Sequence, residues 1–291
     1  MRKAKYQSDA TRFIRIQAAG DHALKVYLTF DSEWCDNILH CTPRQDDLEI
    51  KLMRKGFKTF LSLSRHYNVR GMVFVTGETA SLVADLLRDA VELGFEIGSH
   101  SMHHRSVVDM TISEFKEDLR ASLNAIEEAC GVRPRAFRAP SFSLPANNEY
   151  LTALRSERIE IDSSYAVGPH ASGCGVSEEQ FSKLVSENES LRLIPVRGLG
   201  PGGTVFPGGG YFRAAPGRSF TNVVGSTKSR RLQVLYFHPR DFLPLYLPRN
   251  TLQFSKFLKS SIALGSPQRK FQFLARTHEF LSTEQALTLD I

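Results

Sequence analysis

The chain has 291 residues, 42% of them apolar and 23% charged, which describes an ordinary globular protein of one large α/β domain or two small ones. No uninterrupted apolar run reaches the roughly eighteen residues that a membrane-spanning helix needs. The net charge of +6 is spread out, and no RNP-like, helix-turn-helix or zinc-finger pattern accompanies it, so a nucleic-acid partner is not expected.

The densest basic group is Lys228, Arg230 and Arg231, followed by Arg240 and Arg249. Such a surface suits acidic or phosphorylated glycans, nucleotide-linked sugars or an anionic membrane face, and equally an ordinary solvated face. Cys35, Cys41, Cys130 and Cys174 form no CxxC pair and read as reduced thiols. Residues 1–22 read as a polar arm without the apolar core or cleavage site of a signal peptide, which makes the cytoplasm the expected compartment.

In chain order, Leu24–Phe30 predicts a strand ending at Asp31. A loop over 35–45 and a helix from about Asp46 to His66 follow. Gly71–Thr76 predicts the second strand, and Thr79 caps a helix with Leu82, Val83, Leu86, Leu87 and Ala90 on its apolar face. Phe95–Gly98 is a short strand. His100 and His104 come directly after it, and a helical turn there would put both imidazoles on one face, as a metal pair needs. That spacing alone is equally that of a polar surface turn, with His103 as a neighbour of no fixed role.

Thr111-Ile112-Ser113-Glu114 is a capping box opening a helix with Phe115, Leu119, Leu123 and Ile126 at helical spacing. A strand end at Ala136–Pro140, a helix near Asn148–Arg155 and a strand at Ile159–Asp162 come next. This alternation predicts an α/β fold with a parallel sheet or barrel. Residues 166–227 are rich in Gly, Pro and Ser and read as an insertion with a short strand at Leu193–Val196. Gln233–Phe237 is a late strand ending at His238, and a helical tail from about Leu252 to His278 breaks at Gly265-Ser266-Pro267. One domain over 23–291 is expected.

Titratable or cationic residues stand at successive strand ends: Asp31 and Glu33, His100 and His104, Arg138, Asp162 and His238. In parallel α/β folds those ends converge on one rim, where active sites form.

Together, TFDSEW at 29–34, GSHSMHH at 98–104, FRAPSFS at 137–143, DSSY at 162–165 and YFHPRDF at 236–242 resemble, in order, the motifs of the polysaccharide deacetylase family. That family carries the NodB homology domain and is also called carbohydrate esterase family 4. FRAPSFS, DSS and GGGYFR at 208–213 are most similar to its branch from bacterial exopolysaccharide and O-antigen clusters. The resemblance implies a distorted (β/α) barrel and a divalent metal, usually zinc, on two histidines and a carboxylate. His100 and His104 match the histidine pair. Ser32 stands where many members carry a second aspartate, so Glu33 is assigned as the ligand and Asp31 as the base; the reverse, with Asp31 on the metal, is the alternative. Arg138 resembles the arginine that orients the base, and His238 the acid that protonates the leaving amine. Asp162 is the residue expected to orient His238. Trp34 and Tyr211 are sugar-stacking candidates or core residues.

The implied activity is hydrolysis of the N-acetyl amide of an amino sugar, in a polysaccharide or in a lipid-linked or nucleotide-linked precursor. The alternatives are deformylation or another small-amide hydrolysis, and an inactive carbohydrate-binding relative, for which Ser32 and the altered HPRD sequence are the motive.

Overall fold

The computed structural model describes residues 23–35, 37, 45–168, 175–200, 203, 205–215, 219–226, 232–243 and 266–289. The N-terminal arm, Cys41, Cys174, the basic group Lys228, Arg230 and Arg231, Arg249 and the tail before Ser266 lie outside the described residues.

Strand β1 (Lys25–Ser32) is the centre. All of its residues after Lys25 are buried, so both faces are covered, as the near-continuous apolar run of a parallel strand requires. It pairs in parallel with β2 (Gly71–Val75), with β9 (Gln233–Phe237) and, at Lys25 and Val26, with β10 (Glu279–Phe280). Beyond β2 the sheet continues through β3 (Glu96–Ser99), β4 (Ala136–Phe137), β5 (Ile161–Asp162) and β7 (Arg192–Leu193), each in parallel with the last. A small second sheet joins β6 (Ala166–Val167) to β8 (Val196–Arg197). The result is a curled, all-parallel sheet with helices packed against it, a distorted (β/α) barrel.

Alternation along β1 divides its side chains. Val26, Leu28 and Phe30 join the larger core with helix α1 (Asp47–Tyr67), whereas Tyr27 packs with Met72, Phe74 and Val234. Phe30 stacks on Phe60 and Phe57 of α1, at ring centroid distances of 4.2 and 4.8 Å. The Asp46 side chain accepts from the Glu49 N–H at the start of α1, and Asn68 ends the helix in the left-handed conformation. A full capping box at Thr111 and Glu114 opens a second long helix, Ile112–Cys130, which Gly131 stops at φ 77°.

Several elements differ from the sequence reading. The helix expected after Thr79 starts at Gly77 and passes through a 3-10 turn at Ser81–Val83 before resuming at Ala84–Glu92. The strand expected at 193–196 is two fragments, β7 and β8, split at Ile194-Pro195, where proline has no N–H to give a ladder. The Gly/Pro/Ser-rich region contains a helix, Glu178–Glu187, opened by a capping box of Ser177 and Gln180. The break at 265–267 is a helix start, with Ser266 as cap and Pro267 in the first turn of Pro267–Thr277.

Gly56 shows how tightly α1 is docked: a Cβ there would lie 1.9 Å from the carbonyl oxygen of Pro239. An alanine inside a helix usually stabilises by about 1 kcal/mol over glycine. Gly56→Ala should instead destabilise the fold, overpacking costing roughly 1–3 kcal/mol. Urea unfolding checks this, and an unchanged or higher midpoint would show that the two elements are not in contact.

A candidate metal centre at the sheet rim

Thr29 and Asp31, two residues apart on β1, face the same way, and the chain bends at Glu33 just past the strand. Ser32 between them is buried, and its hydroxyl has no hydrogen-bond partner.

The His100 and His104 segment is not helical. Ser101 at φ 68° and His104 at φ 53° hold left-handed backbone, which costs on the order of 1–3 kcal/mol each outside glycine. The loop is fixed from outside. The Gly77 and Glu78 N–H groups, free at the start of their helix, donate to the carbonyls of Ser101 and Met102, both at 3.0 Å. Met102 N–H donates to Asp118 Oδ1 at 2.9 Å. Gly77 must be small here, because a Cβ would meet the Ser122 backbone at 2.9 Å as well as Met102 Sδ at 2.4 Å.

These constraints bring Glu33, His100 and His104 together, with one ligand atom from each inside a span of 4.8 Å. Glu33 Oε2 is 3.6 Å from His100 Nε2 and touches His104 Nε2. His100 Nδ1 donates to the Arg138 carbonyl at 2.7 Å, so Nε2 is the ring nitrogen that faces Glu33. Burial by itself would raise the Glu33 carboxyl, but the imidazoles of His104, His100 and His238 outweigh it and hold it well below the usual range. Oε2 is buried, yet it satisfies no hydrogen bond. Two imidazole nitrogens and an unsatisfied carboxylate oxygen converging on one point form a donor set that a divalent ion fits. Exposed His103 turns away, 3.3 Å from Glu78.

Arg138 is fully buried. Its Nη1 donates to Thr29 Oγ1 and Asp31 Oδ1, both at 2.8 Å, its Nη2 to Ser163 Oγ at 2.8 Å and its Nε to the Ser163 carbonyl at 3.1 Å. The guanidinium also lies 4.4 Å from the Phe74 ring centre.

His238 Nε2 lies 4.0 Å from Asp31 Oδ2 and 3.9 Å from Glu33 Oε1. Its other nitrogen, Nδ1, is 3.0 Å from Asp241 Oδ2, which also accepts the His238 backbone N–H at 2.8 Å. Burial works against a charged ring at His238, but Asp241, Glu33 and Asp31 raise its pKa above the ordinary value. The expected orienting residue, Asp162, does not do this. Its carboxylate accepts from Ser164 Oγ at 2.5 Å and from Ser164 N–H at 3.2 Å, and Ser164 Oγ in turn accepts from the Ala139 N–H. Asp241, Ser163 and Thr29 were missed in the sequence. An aspartate three residues after a histidine at a turn start was the readable signal for the first. Trp34 is core, 4% exposed, while Tyr211 is 48% exposed.

Residues 19–158 match the family model "Polysaccharide deacetylase", and residues 163–288 match a domain family of unknown function. A bifunctional xylanase/deacetylase of Pseudobutyrivibrio xylanivorans is 28% identical over 85 residues, 29% of this chain and 14% of that protein. An uncharacterized protein of Bacillus subtilis (strain 168) is 29% identical over 83 residues, 28% of this chain and 26% of that protein. The matched stretches thus span only a small part of those relatives' own lengths. The crystal structure of a putative polysaccharide deacetylase from Mycobacterium smegmatis superposes with a TM-score of 0.56 at 18% identity, covering 93% of this chain and 91% of that one, a likeness of fold.

Burial pushes the Asp162 carboxyl up to about 7, despite the opposing Ser164 bonds and the Arg138 charge. A carboxyl whose folded pKa is raised favours the fold at low pH, and that contribution is lost as pH rises from about 4 to about 7. Asp162→Asn should therefore gain stability relative to the parent between pH 5 and pH 8, by a few kcal/mol at most. Denaturant midpoints at both values check this; an equal difference at both would show Asp162 ionised throughout.

Proposed function

We propose, from the match of residues 19–158 to the polysaccharide deacetylase family model, that the chain hydrolyses the N-acetyl amide of an amino sugar. The sugar would stand in a glycan or in its lipid-linked or nucleotide-linked precursor. The observation that carries this reading is the buried Glu33 Oε2, unsatisfied and facing the Nε2 atoms of His100 and His104. With two nitrogens and one carboxylate, the set suits zinc. A bound ion would supply Lewis-acid polarisation of the acyl oxygen and acidify a water.

The remaining work falls to the chain. An amide is a poor electrophile and water a poor nucleophile, so a base and an acid must stand on either side of the reacting carbon. Asp31 is the base. Its Oδ1 is held by Arg138, so Oδ2 is the oxygen left to take the proton of the attacking water. His238 is the acid. With Nδ1 locked to Asp241, it presents Nε2 to the departing nitrogen and gives its proton there, since an amine leaves only when protonated. Arg138 keeps Asp31 oriented, and Asp241 holds the imidazole in place.

The purified protein should hold about one divalent ion per chain, and His100→Ala or His104→Ala should lose it with the fold retained. Unchanged metal in both variants rejects the ligand set, and a metal-free parent supports the inactive carbohydrate-binding reading.

Asp31→Asn and His238→Ala should each slow deacetylation by on the order of a hundredfold to ten-thousandfold while keeping metal. Turnover near that of the parent in both rejects the roles; metal loss in Asp31→Asn makes Asp31 the ligand. Parallel assays on N-formyl and N-acetyl sugars separate deformylation from deacetylation.

A further inference from the structure

The turn that carries His238 also carries a guanidinium whose buried donors are unmatched. Arg240 lies in the 3-10 turn Pro239–Phe242 and is 3% exposed. Its Nε and Nη1 are buried and find no hydrogen bond, and no carboxylate among the described residues forms an ion pair with it. A guanidinium taken out of water without a partner costs several kcal/mol, so a position of this kind is retained only where something compensates it.

The nearest carboxylate does so only in part. Asp241 follows directly in the chain and the two charges attract, but neighbours in a 3-10 turn diverge by about 120°, and no hydrogen bond joins Arg240 Nε or Nη1 to Asp241 Oδ1. Its Oδ2 is taken by His238, and its carboxylate is wedged against Gly209, where a Cβ would come within 1.5 Å of it. The other groups nearby are cations. Arg213 donates to the Arg240 and Leu243 carbonyls, and Lys270 donates to the carbonyls of Phe212 and Ala215. Their ammonium and guanidinium charges add to that of Arg240 and do not offset it. The turn itself is fixed, pinned by Gly56 against Pro239 and by Arg213 from behind, so Arg240 stands in a rigid frame two residues from the proposed acid.

On the deacetylase reading above, we infer that Arg240 is an anion subsite for the substrate, pairing with a carboxylate or phosphate carried near the N-acetyl sugar. The planar fork of a guanidinium matches either oxyanion with two parallel hydrogen bonds, and a pair of that kind in a buried setting is stronger than one in water. Two residues of chain span at most about 7 Å, which puts the backbone of Arg240 beside that of His238, so an anion on the guanidinium would belong to the sugar that His238 serves or to a group attached to it. The carboxylate would belong to a uronic acid, the phosphate to a nucleotide or lipid carrier.

The test reads binding, so it stands apart from whether the chain is a deacetylase. Thermal unfolding of the metal-loaded parent, Arg240→Met and Arg240→Lys is followed with glucuronate, inorganic phosphate or N-acetylglucosamine. The parent should be stabilised by glucuronate or by phosphate, and whichever acts identifies the source of the anion. N-acetylglucosamine should stabilise parent and variants alike or not at all. Arg240→Met should lose the anion response and, without anion, melt no lower than the parent. Arg240→Lys, with charge but no fork, should bind about ten- to a hundredfold more weakly. If neither anion stabilises the parent, or if Arg240→Met responds as the parent does, the subsite is rejected. It is rejected as well if the anion-free Arg240→Met melts far below the parent, since the guanidinium is then part of the fold.

Discussion

One buried guanidinium ties the rim together. Arg138 donates from three of its nitrogens to Thr29, Asp31 and Ser163, and its own carbonyl receives the His100 ring. The group has no exposure, so it is tolerable only with each of its nitrogens engaged. That condition makes it a ruler. Asp31 on β1 and the loop after β5 are each set at a fixed distance from a single planar group, and the imidazole after β3 from the carbonyl of the same residue. Moving Asp31 or the β5 loop would strand a buried charge. The proposed base and a proposed metal ligand are thus placed by the same side chain, one through its head and the other through its backbone.

The histidine loop is the second fixed point, and it is fixed by a different means. Two residues in left-handed backbone cannot hold themselves there. The strain is offset by the open N–H groups at Gly77 and Glu78 and by Asp118, all belonging to neighbouring helices. Glycine at 77 is what allows the approach. The rim is therefore held from two directions: a buried salt bridge within the sheet, and helix ends outside it.

How much of this could be read beforehand depended on the range over which each signal acts. Apolar runs at 24–30, 71–76 and 233–237 located strands that the structure contains, because burial on both faces leaves a mark in the sequence itself. Strand ends in a parallel sheet share a rim, which is why Asp31, Glu33, His100, Arg138 and His238 meet. What bonds to what within that rim was not legible. Asp162 and Asp241 stand equally near a strand end, and only the tight turn Pro239–Phe242 returns Asp241 to His238. Likewise, the Gly, Pro and Ser content of 166–227 hid the helix at Glu178–Glu187, although Ser177 and Gln180 announced it locally. The left-handed residues at 101 and 104 carry no glycine to betray them.

The pairing of β1 with β9 has a consequence for how the protein comes into being. Thr29 and the Leu235 carbonyl it contacts are 206 positions apart, and closing a loop of that span is entropically costly and slow. Glu33, His100 and His104, with the Asp118 and Arg138 that fix them, by contrast all lie within residues 33–138. The three converging donors can thus assemble while β1 still has one open edge, before the strand that brings His238 is in place. A chain arrested at that stage would own an ion-binding cradle and no proton donor, exposing a strand edge to whatever else might pair with it.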